Sequence, residues 1–208
     1  MNQVSGCPAI SPLYLRDIEY LNTHGDFAGI DEAGRGTLAG PVVVAAVCLD
    51  YSTIIAGLND SKLLSPKKRA ELYDAIILHA KAYAIMEIDN HIVDEKNILQ
   101  ATYLGFEAAY SALDPQPALC LIDGNRIPAS MLSFASSVVK GDRLHASIAA
   151  ASILAKVHRD RLMDVFDTQY PQYGFAKHKG YATQEHCRAI HSLGFCEIHR
   201  TSFRVPIR

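Results

Sequence analysis

The feature that most constrains the fold of this chain is a pair of apolar runs joined by a glycine turn, at residues 27–49. The second run, residues 42–49, is rich in β-branched residues and predicts a buried strand. The acidic pair Asp31 and Glu32 follows the first run, directly before the glycine turn at 34–36. Carboxylates near a strand end can gather a cation such as Mg²⁺, and glycines let a ligand approach the backbone. The stretch therefore predicts two adjacent strands with an acidic corner open to a ligand.

This stretch has two other interpretations. An acidic pair beside a glycine turn is most often a solvated loop. The spacing of Gly34, Gly36 and Gly40 approaches the dinucleotide-binding pattern, but that pattern requires a helix directly after the glycines. Here Pro41 and a strand-like run follow. No helix N-terminus is therefore available to a pyrophosphate, and dinucleotide binding is rejected.

Composition limits the class of protein. The chain has 208 residues, is 49% hydrophobic and carries a formal net charge of -2. This length suits a single α/β domain over 1–208, and the charge offers no global basic field, so phosphate contacts would come from local clusters. Its five cysteines include no C-x-x-C pair, which fits reduced thiols. Residues 1–7 lack the features of a signal peptide, and no apolar run reaches the roughly 20 residues of a membrane helix, so we expect a cytoplasmic protein.

Capping and turn signals divide the chain into alternating strands and helices. Strands are predicted at 26–31, 41–50, 83–88, 118–122 and 134–139, and helices after Pro12, from Ser65-Pro66, from Asn97, over 144–167 and near 183–192. Tyr20, Tyr83 and Phe106 are expected in the core. Strands that alternate with helices indicate an α/β protein, and the early strand-to-strand step indicates a mixed sheet.

Acidic residues stand at several of these boundaries. Asp31 and Glu32 follow one apolar run, Asp123 ends another, and Asp142 precedes the longest helix. Asp142 alone would be interpreted as a helix cap. Functional groups of α/β proteins collect at strand ends, so the combination predicts one shared acidic site if the strands lie in one sheet.

With these motifs in view, the chain resembles bacterial ribonuclease HII, the type 2 ribonuclease H family. The matching segments extend over nearly the whole chain from about residue 27 and lie at 29–36, 38–43, 60–62, 97–102, 122–124, 140–142, 148–157, 178–183 and 199–203. Thr37 departs from the proline that members of the family often carry. The residues before Phe27 lie outside the match.

The resemblance implies an α/β, ribonuclease H-like fold: a mixed five-stranded sheet flanked by helices, with additional C-terminal helices. Residues 1–25 would be an N-terminal extension, and about 170–208 a helical part packed on the same domain. The implied activity is a metal-dependent endoribonuclease of DNA replication and repair. It would hydrolyse the phosphodiester 5′ of ribonucleotides in DNA duplexes, and the RNA strand of RNA/DNA hybrids, leaving a 3′-hydroxyl and a 5′-phosphate. These nucleic acids would be the partners of a monomer that does not bind membranes.

The resemblance also implies roles for individual residues. Four carboxylates match the family's catalytic set and would hold Mg²⁺ or Mn²⁺: Asp31, Glu32, Asp123 and Asp142. Gly34, Arg35 and Gly36 match the turn that recognises the 2′-hydroxyl of the ribonucleotide. Tyr181 matches the aromatic residue that stacks on the neighbouring deoxyribose, and Lys62 is expected to contact phosphate.

Other charged residues and other functions stay open at this point. Lys156 and Arg159 either steer phosphate or coat a helix, and residues 67–69 are interpreted as a solvated helix start. The C-terminal histidines and cysteines lack the spacing of a zinc finger. A nucleic-acid-binding module without catalysis is disfavoured because all four carboxylates are present. A type 1 ribonuclease H is disfavoured by the glycine turn and Tyr181.

Overall fold

Five strands and six α-helices are present in the part of the chain that the computed structural model describes, residues 10–58 and 61–206. The side chain of Lys62 lies outside the described part. The strands are β1 (Phe27–Ala33), β2 (Val42–Leu49), β3 (Ala80–Ile88), β4 (Leu119–Asp123) and β5 (Ala135–Val138). The α-helices are α1 (Pro12–His24), α2 (Pro66–His79), α3 (Asn90–Ser111), α4 (Ala146–Gln169), α5 (Phe175–His178) and α6 (Gln184–Leu193). Short 3₁₀ turns cover Ser61–Leu63, Ala129–Met131 and Gly141–Arg143.

The five strands form one mixed sheet in the order β3-β2-β1-β4-β5, which confirms the predicted sheet. β1 and β2 are antiparallel, as are β2 and β3, whereas β4 is parallel to both β1 and β5. The parallel register pairs Ile30 with Ile122. Since parallel partners point to the same face, the next residues along, Asp31 and Asp123, lie side by side on the opposite face.

Helices cover both faces of the sheet. Val42, Val44 and Ile30 face α3, whereas Val43, Ala45 and Val47 face α4 and its neighbours. The alanines of α4 let it lie close to β1. It closely approaches Gly29, where an added Cβ would lie 2.2 Å from the carbonyl carbon of Ser147. α4 is therefore pressed against the strand that carries Asp31.

The predicted element boundaries agree with the structure at their capping residues. The hydroxyl of Ser65 accepts the backbone N–H of Lys68 at the start of α2. Asn97 leaves helical geometry with φ 69°, divides α3, and caps the following turns through its side-chain oxygen. The chain before Asn97 is helical from Asn90.

One core prediction is wrong. Phe106 is buried and Tyr20 is half-buried, but Tyr83 is 40% exposed. Tyr83 lies on β3, which is an edge strand, and β3 alternates between buried and exposed positions there. Its side chain therefore points away from α3, which covers the other face of the sheet.

The segment before the matching motifs is part of the packed fold. On α1, Tyr14 is buried and Asp17 is fully buried. The Asp17 carboxylate accepts the Ser147 N–H at 2.7 Å and the Tyr51 hydroxyl at 2.9 Å, and lies 2.7 Å from Nδ1 of His145. Among the described helices, none has the length and apolar character that a bilayer crossing requires.

Candidate active site

A cavity of about 310 Å³ opens beside the middle of the sheet, where β1 and β4 run parallel. Its lining combines carboxylates, a glycine turn, hydroxyls, basic groups and one tyrosine: Asp31, Glu32, Ala33, Gly34, Arg35, Gly36, Ser61, Arg69, Asp123, Ser152, Lys156 and Tyr181. Three of the four predicted carboxylates and four of the five predicted substrate-binding residues are in this list. The fifth, Lys62, follows Ser61 directly, but its side chain lies outside the described part.

The three cavity carboxylates come from two neighbouring strands. Asp31 and Glu32 are consecutive residues within β1, and Asp123 is the last residue of β4. Each accepts a hydrogen bond from a nearby donor. Asp31 Oδ1 accepts the Glu32 N–H at 2.7 Å, and Asp123 Oδ1 accepts the Gly141 N–H at 2.6 Å. Glu32 Oε1 accepts from the Arg35 guanidinium at 3.0 Å, so an arginine of the glycine turn contacts a site carboxylate directly.

Asp31 is buried close to two other carboxylates, Glu32 and Asp123. Its side chain is only 5% exposed, and burial raises its pKa well above the ordinary value. Repulsion from Glu32 and Asp123 adds to that pKa increase, while hydrogen bonds from Ser152 and the Glu32 N–H oppose it. Desolvation and like charges both disfavour the ionised form, so the charged cluster is destabilised until a cation approaches it.

Asp142 lies beside this cluster but does not line the cavity. It is buried in the 3₁₀ turn that follows β5, and it directly follows Gly141, the donor to Asp123. A side chain at Gly141 would displace Ile148, because an added Cβ would lie 2.5 Å from the Cδ1 atom of Ile148. The close packing of this turn sets Asp142 next to the residue that holds Asp123. The fourth carboxylate is thus adjacent to the site, and its catalytic role stays a prediction.

The glycine turn is shaped by an arginine that sequence reasoning left open. Arg159 of α4 is buried, and its guanidinium donates to the carbonyls of Pro41, Ala39 and Lys179 and to the Thr37 hydroxyl, at 2.9–3.0 Å. Gly34 has φ 91°, and a Cβ there would lie 2.1 Å from Arg159 Nε. Arg159 is therefore a structural residue of the turn. Helical spacing from the buried residues Ile148 and Ser152 places it on the same face, which is the signal that could have shown this.

A second buried arginine supports the same turn. Arg200 donates to the carbonyls of Gly40, Arg35 and Thr37 at 2.8–3.1 Å. Burial lowers the pKa of Arg159 to about 10 and that of Arg200 to about 9, so both stay charged near neutral pH. We refer to Arg159 and Arg200 as the arginine pair. Thr37, the departure from the family pattern, takes part in this network, because its hydroxyl lies within hydrogen-bond distance of the Gly34 and Ala39 carbonyls.

Tyr181 borders the cavity with its ring 45% exposed. The Nζ atom of Lys156 lies 5.8 Å from the ring centroid and is paired with Asp160 at 2.7 Å. The preceding residue, Gly180, accepts the Leu38 N–H at 2.8 Å, so the tyrosine segment is joined to the glycine turn. Of the two basic residues left open by the sequence, Lys156 therefore faces the cavity and Arg159 does not.

Behind Tyr181, two buried histidines, His186 and His199, hold its segment. His186 Nδ1 lies 2.9 Å from the Tyr181 carbonyl, and its Nε2 lies 3.0 Å from Nε2 of His199. His199 Nδ1 accepts the Cys196 N–H at 2.9 Å. These partners assign one tautomer to each ring: His186 donates to Tyr181, and His199 donates to His186. Burial lowers the pKa of His186 and of His199 to about 4, so both rings are neutral near pH 7.

One expectation about basic residues is wrong. Arg69, interpreted from sequence as part of a solvated helix start, lines the cavity and donates to the carbonyls of Ser61 and Leu64 at 3.0 and 2.6 Å. It thereby fixes the backbone on either side of Lys62. The signal was absent from the local pattern, because these contacts depend on how the 3₁₀ turn folds back onto α2.

The donor set of the cavity fits a hard divalent cation. Across residues 10–58 and 61–206, no group of three or more His, Cys, Asp or Glu side chains is arranged to hold a metal ion. The carboxylates Asp31, Glu32 and Asp123 nevertheless offer oxygen atoms alone, and they repel one another. Mg²⁺ is usually bound by only one or two protein carboxylates and keeps several waters. The residues present therefore fit such an ion.

Comparisons with known proteins agree with this geometry. The sequence profile described as Ribonuclease HII matches residues 28–205. The Ribonuclease HII of Francisella tularensis subsp. novicida is 53% identical over 180 residues, which cover 86% of this chain and 96% of that protein.

Solved structures share the fold. The ribonuclease H2 of Pyrococcus horikoshii matches with a TM-score of 0.75 at 26% identity, over 86% of this chain and 94% of that one. The RNase HII of Archaeoglobus fulgidus, solved as a complex with PCNA, matches with a TM-score of 0.71 at 25% identity, over 88% and 97%. Bst-RNase HIII, solved in complex with Mn²⁺, is 21% identical with a TM-score of 0.64, over 86% and 67%, and shows the fold alone. The architecture is ribonuclease H-like.

Proposed function

Because this chain belongs to the ribonuclease HII family, whose members are endoribonucleases, we propose which bond it cleaves and in which nucleic acid. The substrate is a DNA duplex that contains ribonucleotides, or the RNA strand of an RNA/DNA hybrid. The cut falls 5′ of the ribonucleotide and leaves a 3′-hydroxyl and a 5′-phosphate. One observation supports this most: Asp31, Glu32 and Asp123 share a cavity with the glycine turn and Tyr181.

The proposed catalytic carboxylates are Asp31, Glu32, Asp123 and Asp142, and they would hold Mg²⁺ or Mn²⁺. Such an ion, when bound, supplies charge stabilisation at the phosphoryl oxygens and lowers the pKa of a bound water. The protein's own contribution is to fix the oxygens. Asp31 is held by backbone on a central strand, and Asp123 is held by the Gly141 N–H. These supports limit how far the carboxylates can move apart despite their repulsion.

Ribose recognition is proposed for the turn Gly34–Gly36. The 2′-hydroxyl is the group that distinguishes RNA from DNA at one nucleotide, and reading it requires close approach to donors and acceptors. A Cβ built on Gly36 would meet no atom of the protein within 4 Å, so the turn is open to a ligand on that side. Arg35 lies in the same turn and contacts Glu32. A ribonucleotide seated on the turn would therefore lie beside a catalytic carboxylate.

Tyr181 and the basic residues around the cavity are proposed to hold the nucleic-acid backbone. An exposed ring gives a sugar or base a surface on which to stack, and nearby positive charges attract phosphates. Lys156 lies beside the Tyr181 ring, and Arg69 lines the same cavity. Lys62 is proposed as a phosphate contact from its motif alone. The monomeric state and the cytoplasmic location stay predictions.

Mapped cleavage tests this proposal. Three end-labelled duplexes of one sequence would be compared: all DNA, DNA with a single ribonucleotide, and an RNA/DNA hybrid. Each is incubated with Mg²⁺, with Mn²⁺ and with a chelator, and the ends are identified. We expect one cut 5′ of the single ribonucleotide, cuts in the RNA strand of the hybrid, and no cut in DNA or with chelator. Binding without cleavage, or cleavage of the hybrid alone, would reject the proposed specificity.

A further inference from the structure

Two buried serines from separate segments meet beside Asp31. Ser152 lies on α4, and Ser61 begins the 3₁₀ turn that carries Lys62. Their hydroxyl oxygens are 3.0 Å apart. Both side chains line the carboxylate cavity, yet they are only 6% and 4% exposed. Because both hydroxyls are buried, their hydrogen-bond partners are protein groups. The identity of these partners shows which hydroxyl donates and which accepts.

The hydrogen bonds run in one direction toward the carboxylate. The hydrogen bond between Ser152 and the Asp31 side chain opposes the rise in the pKa of Asp31, which a hydroxyl does by donating to the carboxylate. A hydroxyl has a single hydrogen, so Ser152 cannot donate to Ser61 at the same time. Ser61 must then be the donor of the pair. The chain of donors is Ser61 to Ser152 to Asp31.

The Ser61 end of this chain is fixed independently. Arg69 donates to the Ser61 carbonyl at 3.0 Å and to the Leu64 carbonyl at 2.6 Å. The backbone that carries Lys62 is therefore held by Arg69 on one side and by the Ser152 hydroxyl on the other. A shift of this segment would remove the donor to Ser152 and change the donor available to Asp31.

We propose that Ser152 is a positioning residue that orients the Asp31 carboxylate, and that Ser61 is a positioning residue that couples this orientation to the segment carrying Lys62. This inference rests on the proposed function, since it assigns Asp31 a part in catalysis. Placement of a phosphate-contacting segment and alignment of a catalytic carboxylate would then be parts of one arrangement. Loss of either hydroxyl leaves a buried polar group with fewer partners, and residues of this kind typically alter metal affinity or activity by about 10- to 100-fold.

The test compares wild type with Ser152→Ala, Ser61→Ala and the double variant on the single-ribonucleotide duplex. Ser147→Ala is the matched control, because Ser147 is also a buried serine of α4 but lies near Asp17. Ser152→Cys keeps the volume and weakens the donor, and Ser152→Thr keeps the hydroxyl. The readouts are kcat and KM, the dissociation constant for Mn²⁺ measured by calorimetry without substrate, and Tm.

We expect kcat to fall by about 10-fold or more for Ser152→Ala and Ser152→Cys, with KM changed much less. Mn²⁺ affinity should weaken in the same variants, Ser152→Thr should restore much of kcat, and the double variant should resemble Ser152→Ala alone. Additive losses in the double variant would overturn the coupling. A kcat and Mn²⁺ affinity equal to those of Ser147→Ala would overturn the positioning role. An inactive wild type would instead reject the proposed function, which separates the two failures.

Discussion

The carboxylate cavity and the region around the arginine pair both bury charge, but they compensate it differently. At the cavity, Asp31 is buried among carboxylates of the same sign, and its pKa is raised. Behind the glycine turn, Arg159 is buried among neutral oxygens that accept its hydrogens, and Arg200 is bound in the same way. A buried charge with several hydrogen-bond partners holds structure together, whereas buried like charges oppose the folded state.

The comparison distinguishes the carboxylates, which are proposed to act in catalysis, from residues that stabilise the fold around them. The arginine pair joins the glycine turn to α4 and to the end of the chain, and the histidines hold the Tyr181 segment. These contacts hold the turn and the tyrosine at the cavity that the carboxylates line. The stabilising contacts around the arginine pair thus support the repelling carboxylates of the cavity, and such strain is common at functional sites. Substitutions in the two regions should therefore have opposite signatures.

The largest effect is expected for Asp123→Asn on the cavity side. The amide keeps the shape and an oxygen that can accept the Gly141 N–H, but removes a negative charge. We expect cleavage of the single-ribonucleotide duplex to fall by about 100-fold or more, while duplex binding is retained and Tm does not fall. Gel-shift and cleavage assays would measure both. Asp74→Asn, at an exposed carboxylate of α2, is the control. Normal turnover by Asp123→Asn would remove this residue from the site.

On the architectural side, Arg159→Met should destabilise the protein by about 3–5 kcal/mol, because it leaves several carbonyls without donors. Urea unfolding would measure this change. Arg161→Met provides the control on the same helix, since Arg161 is half exposed and its ion pair with Asp74 is long, at 3.9 Å. Equal stability of the two variants would contradict the structural role of Arg159.

Lowering the pH should reduce the stability contributed by the buried histidines before most carboxylates become protonated. His186 and His199 have a pKa of about 4 in the folded protein against an ordinary 6.5. The unfolded chain therefore binds more protons between these values, so stability is complete above pH 6.5 and falls as the pH drops toward 4. From pH 7 to 5 the loss should be roughly 2–4 kcal/mol for the pair. Urea unfolding at several pH values would measure it, with His191→Asn, at an exposed histidine, showing the same profile. A free energy of unfolding that stays constant over this range would show that these rings are not buried as neutral groups.

The smallest effect is expected for Tyr181→Ala. Loss of a stacking surface should reduce the preference for an isolated ribonucleotide by about 10-fold, with little change in Tm because the ring is half exposed. Tyr181→Phe should keep most of that preference. Tyr83→Ala, at an exposed tyrosine on the edge strand, gives the matched background. If Tyr181→Ala lowers only Tm, the tyrosine is a packing residue.

Much of the fold could be predicted from local signals, and less of the site. Caps such as Ser65 and Asn97, and apolar runs such as residues 118–122, depend on neighbours in sequence and were confirmed. The pairing of Ser61 with Ser152 and three of the four bonds of Arg159 join residues about 90 to 120 positions apart. The hydrophobic periodicity of a sequence does not reveal which distant residues form such contacts. A charged residue in a helical pattern is usually solvated, so the burial of Arg159 was visible only from its alignment with Ile148 and Ser152.

The most direct test of the central claim is the melting temperature of Asp31→Asn against wild type, each with chelator and with Mn²⁺. If Asp31, Glu32 and Asp123 repel one another until a cation compensates them, Asp31→Asn should melt higher than wild type in chelator. Mn²⁺ should then raise the Tm of wild type much more than that of the variant. A wild type that melts higher than Asp31→Asn in chelator, together with no response to Mn²⁺, would contradict this account of the cavity.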